Sequence, residues 1–148
     1  MTDEAALYAA VLAAPDDDTP RLVYADALDD TGDRVYGIRS WVSRNQLTIA
    51  REEFASAEYD RLLLATEPVE AHYRAAWGLE APGCRVRLTR GFGGEVTGYA
   101  GRFLAAAPGV FAAHPVRAAT LTVPADDPDV LAALAGCPLL GRLHALRL

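Results

Sequence analysis

Residues 115–123 read PVRAATLTV, and residues 140–148 read LGRLHALRL, 25 positions further along the chain. The apolar positions of the first stretch coincide with leucines of the second: Ala118, Leu121 and Val123 against Leu143, Leu146 and Leu148. Self-similarity at this period is typical of a leucine-rich repeat, in which each copy supplies one strand of a parallel sheet. The two stretches therefore predict two parallel strands, with Leu121, Val123, Leu146 and Leu148 buried.

The segment between these strands has the pattern of a short helix. Asp127 and Pro128 are typical of a helix start, and Gly136 is typical of a helix end. Val130, Leu131 and Leu134 recur at helical spacing and form one apolar face. The C-terminal third is therefore predicted to run strand, crossover helix, parallel strand.

The first half of the chain has helical periodicity throughout. Caps, prolines and glycines predict five helices with short connections: 3–13, one opening at Thr19-Pro20 and closed by Gly32, Asp33–Leu47, 51–65, and one from Pro68 to Gly78. Thr19 is the predicted N-cap of the second helix.

The pattern changes at residues 81–83, which read APG. A strand begins at Cys84, residues 91–94 form a turn, and Val96 lies in a short return strand. A helix over 99–107 is expected to break at Pro108, with a single turn around Val110. The predicted fold class is α+β, with a helical capping region over 1–80 and a small leucine-rich-repeat-like α/β region with parallel strands over 81–148. The two regions are expected to form one continuous structural unit.

A longer motif lies in the second helix, where residues 17–26 read DDTPRLVYAD. This motif resembles the bacterial repeat-companion domain, which precedes leucine-rich or other repeats. Arg34, Ile38 and Arg39 match its next helix in part, and residues 90–92 are similar to its later turn. The residues at 36–37 and 40–41 depart from the family pattern. The resemblance implies an architecture and a neighbouring repeat, and it implies no enzymatic activity.

Composition restricts the function classes. The chain has 148 residues, 14 arginines, no lysine and 20 acidic residues, for a net charge of −6. This acidic balance argues against broad nucleic-acid affinity, which needs a basic surface. The apolar runs are too short to span a membrane. Two cysteines 53 positions apart do not form a disulfide framework, so a cytoplasmic location is expected.

Motifs that carry chemistry are missing from the sequence. The Asp29–Asp33 stretch resembles part of a calcium loop but has no downstream bidentate glutamate. The cysteines and histidines have no zinc-ligand spacing, and no phosphate-binding or nucleophile motif occurs. No metal, no cofactor and no catalysis are therefore expected.

Two groups of arginines stand out: Arg34, Arg39, Arg44 and Arg51, and then Arg85, Arg87 and Arg90. They could balance the acidic stretch that ends at Asp33, or they could receive an acidic partner or a phosphate. Arg21 and Asp26 are expected to tie the first three helices together through buried or half-buried ion pairs.

The sequence favours a non-catalytic scaffold that binds a protein partner and caps a leucine-rich-repeat-like sheet. The expected contact residues are exposed strand positions and nearby side chains: Trp41, Arg85, Arg87, Arg117, Thr120, Thr122, His144 and Arg147. Self-association through the C-terminal edge strand is also expected, because an edge strand leaves backbone groups unpaired. The alternatives are an anion- or nucleic-acid-binding module that uses the arginines, and an unrecognised enzyme.

Overall fold

The computed structural model of the chain describes residues 3–125 and 127–148. These residues form six α-helices, one short 3-10 helix and a five-stranded sheet, so the predicted α+β class is confirmed. They divide into two compact units. The first unit consists of the residues up to Arg74 together with Leu88–Phe92, and the second consists of Ala75–Arg87 and Gly93–Leu148. No helix in the described ranges is both long enough and apolar enough to cross a membrane.

The first unit contains four helices: α1 (Glu4–Ala13), α2 (Thr19–Asp30), α3 (Arg34–Ile49) and α4 (Ala57–Tyr73). Side chains cap three of them, because Asp3, Asp33 and Ser56 each accept a hydrogen bond from a first-turn N–H. Helix α2 packs on α1 and on α3, and α3 packs on α4. The predicted boundaries of α1 and α3 agree closely with the structure, since local capping signals determine them.

The start of α2 differs by one position from the prediction. Asp18 occupies the N-cap position, and Thr19 and Pro20 are the first helical residues. The carboxylate of Asp17 accepts a hydrogen bond from the N–H of Thr19 at 2.8 Å. The carboxylate of Asp17, and not the hydroxyl of Thr19, therefore accepts a backbone hydrogen bond at this end of the helix. At the other end Gly32 has a positive φ of 67°, as expected of a residue that closes a helix.

The predicted pair of helices over 51–65 and from Pro68 is wrong, because a single helix, α4, runs through Pro68. Proline removes the donor for the carbonyl four positions earlier, which belongs to Leu64. The Leu64 side chain is exposed, so water can reach this turn of the helix. The helix therefore continues through Pro68 at a moderate cost.

The core of the first unit is a cluster of Val11, Tyr24, Leu28 and Phe92, with Leu7 and Tyr8 packed against it. The rings of Tyr8, Tyr24 and Phe92 lie 5.4 to 5.7 Å apart, centroid to centroid. Such tilted aromatic contacts add to the burial of apolar area. Residues near position 90 therefore belong to the core of the N-terminal helices.

The second unit contains the sheet and the remaining helices. Its elements are β1 (Glu80–Ala81), β2 (Cys84–Thr89), β3 (Phe92–Tyr99), α5 (Ala100–Ala113), β4 (Ala118–Thr122), α6 (Pro128–Ala135), the 3-10 helix (Pro138–Arg142) and β5 (Ala145–Arg147). The last residues of β2 and the first of β3 fall in the Leu88–Phe92 segment of the first unit.

The strands follow one another in chain order across the sheet. β1 and β2 are antiparallel, whereas β3, β4 and β5 are parallel. The predicted parallel arrangement of β4 and β5 is confirmed, but their register is shifted from the one that the repeat predicts. Ala119, and not Leu121, lies beside Leu146. β3 is a third parallel strand, with Val96 beside Ala119, that the leucine pattern did not indicate.

Two of the predicted buried leucines are exposed. Leu146 is 41% exposed and Leu148 is 67% exposed, whereas Leu121 is 2% exposed. β5 lies at one edge of the sheet that the structure describes and pairs with β4. Val123 follows the end of β4 and is only half-buried.

The predicted break at Pro108 is wrong as well, because α5 continues to Ala113. Its apolar face is continuous across the proline: Phe103, Ala107, Val110 and Phe111 are all buried. Burying two side chains beyond the proline contributes about 1.5–3 kcal/mol each, which offsets the roughly 3 kcal/mol that an internal proline costs. The helix is therefore long enough to cover the sheet, and it contacts β4.

Candidate interaction surface

One face of the sheet in the second unit is buried and the other is open. The buried positions alternate along the strands: Val86, Val96, Ala119 and Leu121. A Cβ placed on Gly98 would lie 3.2 Å from the Sγ atom of Cys84, so these two positions share the buried side. Side chains alternate between the two faces of a strand, and the residues between these positions must therefore point outward.

The outward positions are mostly polar. They are Arg85 and Arg87 on β2, Glu95, Thr97 and Tyr99 on β3, Thr120 and Thr122 on β4, and Arg147 on β5. Thr97, Thr120 and Arg147 are in register across the three parallel strands and form one row. The hydroxyl of Thr120 lies 3.5 Å from a carboxylate oxygen of Glu95. This face is therefore a regular polar surface held by strands.

Five of the eight contact residues expected from the sequence lie on this open face: Arg85, Arg87, Thr120, Thr122 and Arg147. The structure brings these five together on one sheet. Arg117 precedes β4 and is half-buried, and its Nη1 atom donates to the carbonyl of Arg142 at 2.6 Å. It joins the 3-10 helix to β4. His144 precedes β5, and its side chain is exposed.

The eighth expected contact residue, Trp41, belongs to the first unit. It lies on α3 and is 44% exposed. The neighbouring position on that helix, Ser40, is fully buried, so Trp41 marks the solvent side of α3. Half-exposed tryptophans are frequent in protein interfaces, because they combine a large apolar ring with one hydrogen-bond donor.

Two arginines of the first group, Arg44 and Arg51, pair with acidic residues of α2 or its N-cap. Arg44 forms ion pairs with Asp26 and with Asp29, the latter at 3.2 Å. Asp26 thus forms an ion pair that joins α2 to α3, but the pair is exposed, whereas the sequence predicted a buried or half-buried one. This pair is largely exposed, and such pairs contribute little to stability, about 0–1 kcal/mol.

Asp18 is a carboxylate of the first unit that connects distant parts of the sequence. It accepts hydrogen bonds from Arg90, with Nε to Oδ1 at 2.7 Å, and from Arg51 at 3.0 Å. Burial by itself would raise the pKa of Asp18, but the hydrogen bonds from Arg90 and Arg51 and their charges lower it below its ordinary value. One carboxylate thereby holds two arginines that are distant in the sequence.

Two further arginines are buried beside an aromatic ring. The guanidinium groups of Arg21 and Arg39 lie 5.4 Å and 5.7 Å from the centroid of Phe92. Arg21 donates to the carbonyl of Asp17, and Arg39 donates to the carbonyl of Gly91, each at 3.3 Å. Burial lowers the pKa of Arg39. Arg21 therefore contacts a backbone carbonyl and a ring within the first unit.

Helix α3 also holds the turn between β2 and β3 through buried polar groups. Arg90 and Gly91 both have positive φ, 56° and 85°, which suits a two-residue hairpin turn. The N–H of Gly91 donates to the side chain of Gln46 at 2.9 Å. A Cβ on Gly91 would lie 2.6 Å from the side chain of Ser43, so only glycine fits. The buried polar residues of this helix serve internal packing.

A cavity of about 220 Å³ in the second unit has mostly small apolar walls, including Ala106, Gly109 and Ala113 of α5. His114 also lines it, and its Nε2 atom donates to the carbonyl of Gly78 at 2.8 Å. Cys84 lies in the same unit, and burial raises the pKa of its thiol, whereas an activated nucleophile needs a lowered one. In residues 3–125 and 127–148 no group of three or more metal-ligating side chains is close enough to hold an ion.

Comparison with known proteins found no match, either among family models or among curated proteins and solved structures. The resemblance to the repeat-companion domain therefore stays a prediction based on the residues that carry it.

Proposed function

We propose that this chain is a non-catalytic protein-interaction module, and that its partner binds the open face of the sheet in the second unit. The observation that carries the proposal is the row of Thr97, Thr120 and Arg147, in register on three parallel strands with the opposite face buried. Strands hold side chains at fixed spacing, so such a surface is pre-organised for recognition.

The composition of the face supports the same function. Arginine and tyrosine are enriched in protein interfaces, and the face has three exposed arginines and the exposed ring of Tyr99. Consecutive strand–helix–parallel strand units also resemble a solenoid, whose strands commonly form the binding surface. The resemblance to the repeat-companion domain points to the same kind of module.

The proposal extends to location and to self-association. Cys84 and Cys137 are both free thiols, which suits a reducing cytoplasm. β5 presents an outer edge and the exposed Leu146, so a second copy could pair there. Nucleic acid is not proposed as the main partner, because the chain carries a net charge of −6.

Site-specific photo-crosslinking tests this proposal. A photoreactive amino acid is placed at Thr120 on the open face, and at Leu64 on the exposed side of α4 as the control. Cells of the source organism are irradiated, and the adducts are identified by mass spectrometry. We expect one dominant protein adduct at Thr120 that is missing at Leu64.

The identified protein is then purified and titrated against the wild type and Thr120→Arg. A bulky charge in the middle of the face should weaken binding by about tenfold or more, as for a central interface position. Equal adducts at both positions, or no adduct at Thr120, would contradict the proposed function.

A further inference from the structure

We infer that the partner presents an acidic, extended segment to this face, and that Arg85 and Arg87 bind its carboxylates. The inference rests on the proposed function, because it names the chemistry of the partner at the same surface. Three observations carry it: the unpaired state of the arginines, their spacing, and the charges that surround them.

The arginines of the two units differ in their partners. Five arginines of the first unit form ion pairs with carboxylates: Arg44, Arg51, Arg61, Arg74 and Arg90. Within the described ranges, the guanidinium groups of Arg85, Arg87 and Arg147 form no ion pair and no hydrogen bond. Their donors are therefore available to an incoming group.

The spacing of Arg85 and Arg87 suits an extended peptide. They are two positions apart on β2 and share its open face, so their Cα atoms lie about 6–7 Å apart. Alternate residues of an extended segment have the same repeat. Each guanidinium can hold a carboxylate with two parallel hydrogen bonds, which fixes direction as well as charge.

The surrounding charges leave this face net positive. Three outward arginines stand against Glu95 and Glu80. Glu95 lies beside the hydroxyl of Thr120, and Glu80 is the cross-strand neighbour of Arg85 in the β1–β2 pair. No ion pair joins either glutamate to these arginines in the part of the chain that the structure describes. The local charge, and not the total of −6, determines what approaches within a Debye length of about 8–10 Å.

An acidic protein segment fits better than a nucleic acid. Non-specific binding to nucleic acid depends on many phosphate contacts, and three arginines on a chain of net charge −6 provide few. Carboxylates at alternate positions need only the two arginines of one strand. Nucleic acid is therefore the alternative that the experiment must exclude.

The experiment is fluorescence anisotropy with the full chain at low salt. The probe is a labelled peptide of alternating glutamate and threonine. The uncharged control peptide has glutamine in place of glutamate. We expect the acidic peptide to bind about tenfold more tightly than the control peptide, because only the acidic peptide forms charge-assisted hydrogen bonds with the arginines. A single-stranded oligonucleotide of similar charge forms the third arm.

Variants identify the side chains that bind the acidic peptide. Arg85→Gln combined with Arg87→Gln should weaken binding of the acidic peptide by about tenfold. Arg34→Gln is the matched control, because Arg34 is an exposed arginine of α3 that also lacks an ion pair within the described residues. It should leave the affinity within about twofold. Glu80→Gln should tighten binding, because it removes a competing carboxylate beside Arg85. Circular dichroism verifies that each variant folds.

The inference is overturned if the double arginine variant binds the acidic peptide as well as the wild type does, or if the wild type does not bind the peptide. It is also overturned if the oligonucleotide binds more tightly and loses affinity in the same variant. A Thr120 adduct that persists unchanged in the double variant leaves the proposed function standing while the inference fails. No adduct at Thr120, with arginine-dependent binding of the peptide retained, contradicts the proposed function alone.

Discussion

At the scale of single residues, the backbone of Gly91 determines whether the β2–β3 turn can lie on α3. Its φ is 85°, and an added Cβ would lie 2.6 Å from the side chain of Ser43 and 2.8 Å from its Cα. We expect Gly91→Ala to destabilise the chain by about 2 kcal/mol or more, through backbone strain and steric overlap together. Urea unfolding at neutral pH measures the difference in free energy.

The control for Gly91 is Gly37, inside helix α3. A Cβ there would meet nothing within 4 Å, and its φ is not positive. Gly37→Ala should therefore stabilise the chain by about 0.5–1 kcal/mol, which is the difference in helix propensity. Equal stability of Gly91→Ala and the wild type would show that the turn does not require glycine.

Asp18 gives a prediction about pH. Asp18→Asn removes the charge that holds Arg51 and Arg90, and we expect it to cost about 1–2 kcal/mol at neutral pH. The folded-state pKa of Asp18 lies below its ordinary value of 3.8. Its contribution is therefore complete above that value and is lost as the pH falls through the lowered folded-state pKa.

Urea titrations of the wild type and Asp18→Asn at several pH values check this prediction. The stability gap should be full near neutral pH and should shrink only at pH values below about 4. Asp30→Asn, at an exposed position without an ion pair among the described residues, should stay within about 0.5 kcal/mol of the wild type. A gap for Asp18→Asn that grows on acidification would contradict the assigned role of its charge.

The residue scale also marks what the sequence can predict. The cap Asp33 and the helix-closing Gly32 are determined by their immediate neighbours, so they were predictable. The contacts of Arg21 and Arg39 with the ring of Phe92 join two helices to the first residue of β3, which lies far along the chain. No local pattern predicts such a contact, so these buried cation–ring contacts were not predictable from the sequence.

At the scale of elements, the prolines show how packing overrides local propensity. Pro68 and Pro108 each lie inside a helix, although an internal proline costs roughly 3 kcal/mol. In α5 the buried Val110 and Phe111 follow the proline and offset this cost. The sequence predicted a helix start at Pro68 and a break at Pro108. At Pro108 the compensating burial depends on packing against the sheet, which no local pattern shows.

The strands allow a prediction about the repeat. Leu121 on β4 is 2% exposed, whereas Leu146 on β5 is 41% exposed, although both are leucines of the same sequence pattern. Leu121→Ala should destabilise the chain by about 2–4 kcal/mol, through lost burial and the cavity left behind. Leu146→Ala should cost less than about 1 kcal/mol, because much of its side chain already contacts water.

Urea unfolding of Leu121→Ala and Leu146→Ala measures how much stability the same substitution removes on β4 and on β5. Equal losses would mean that β5 is covered in solution, for example by a second copy. Repeating the measurement over a range of protein concentrations separates that case, since only association makes stability depend on concentration.

The register of the parallel strands shows where the sequence pattern failed. The leucine pattern aligned Leu121 with Leu146, but the structure places Ala119 beside Leu146. β3 was predicted only as a short return strand, because Val96 and Gly98 occupy inward positions where the repeat has leucines. Alternation did predict the outward positions of β2 and β4, because side-chain alternation does not depend on register between strands.

At the scale of the whole molecule, the α+β class followed from the change of periodicity near residue 81, which is a property of long segments. The division into units did not follow from it. Residues 88–92 belong with the helices, whereas the rest of the hairpin belongs with the sheet. A boundary drawn along the sequence cannot place a segment that returns to an earlier core through Phe92.

Charge at this scale gives a last prediction, which concerns salt. The chain carries a net charge of −6. If this charge acted as though it were spread evenly over the surface, the chain would repel an acidic peptide, and the repulsion would weaken as salt rises. If Arg85 and Arg87 bind the peptide locally, its affinity should instead fall as salt rises. Anisotropy titrations over a range of salt concentrations measure the slope of log affinity against log salt. The slope should flatten in the double Arg85→Gln, Arg87→Gln variant and stay unchanged in Arg34→Gln. An affinity that rises with salt would mean that repulsion by the overall negative charge outweighs attraction by Arg85 and Arg87. Salt screens both interactions, so the sign of the slope shows which of them dominates.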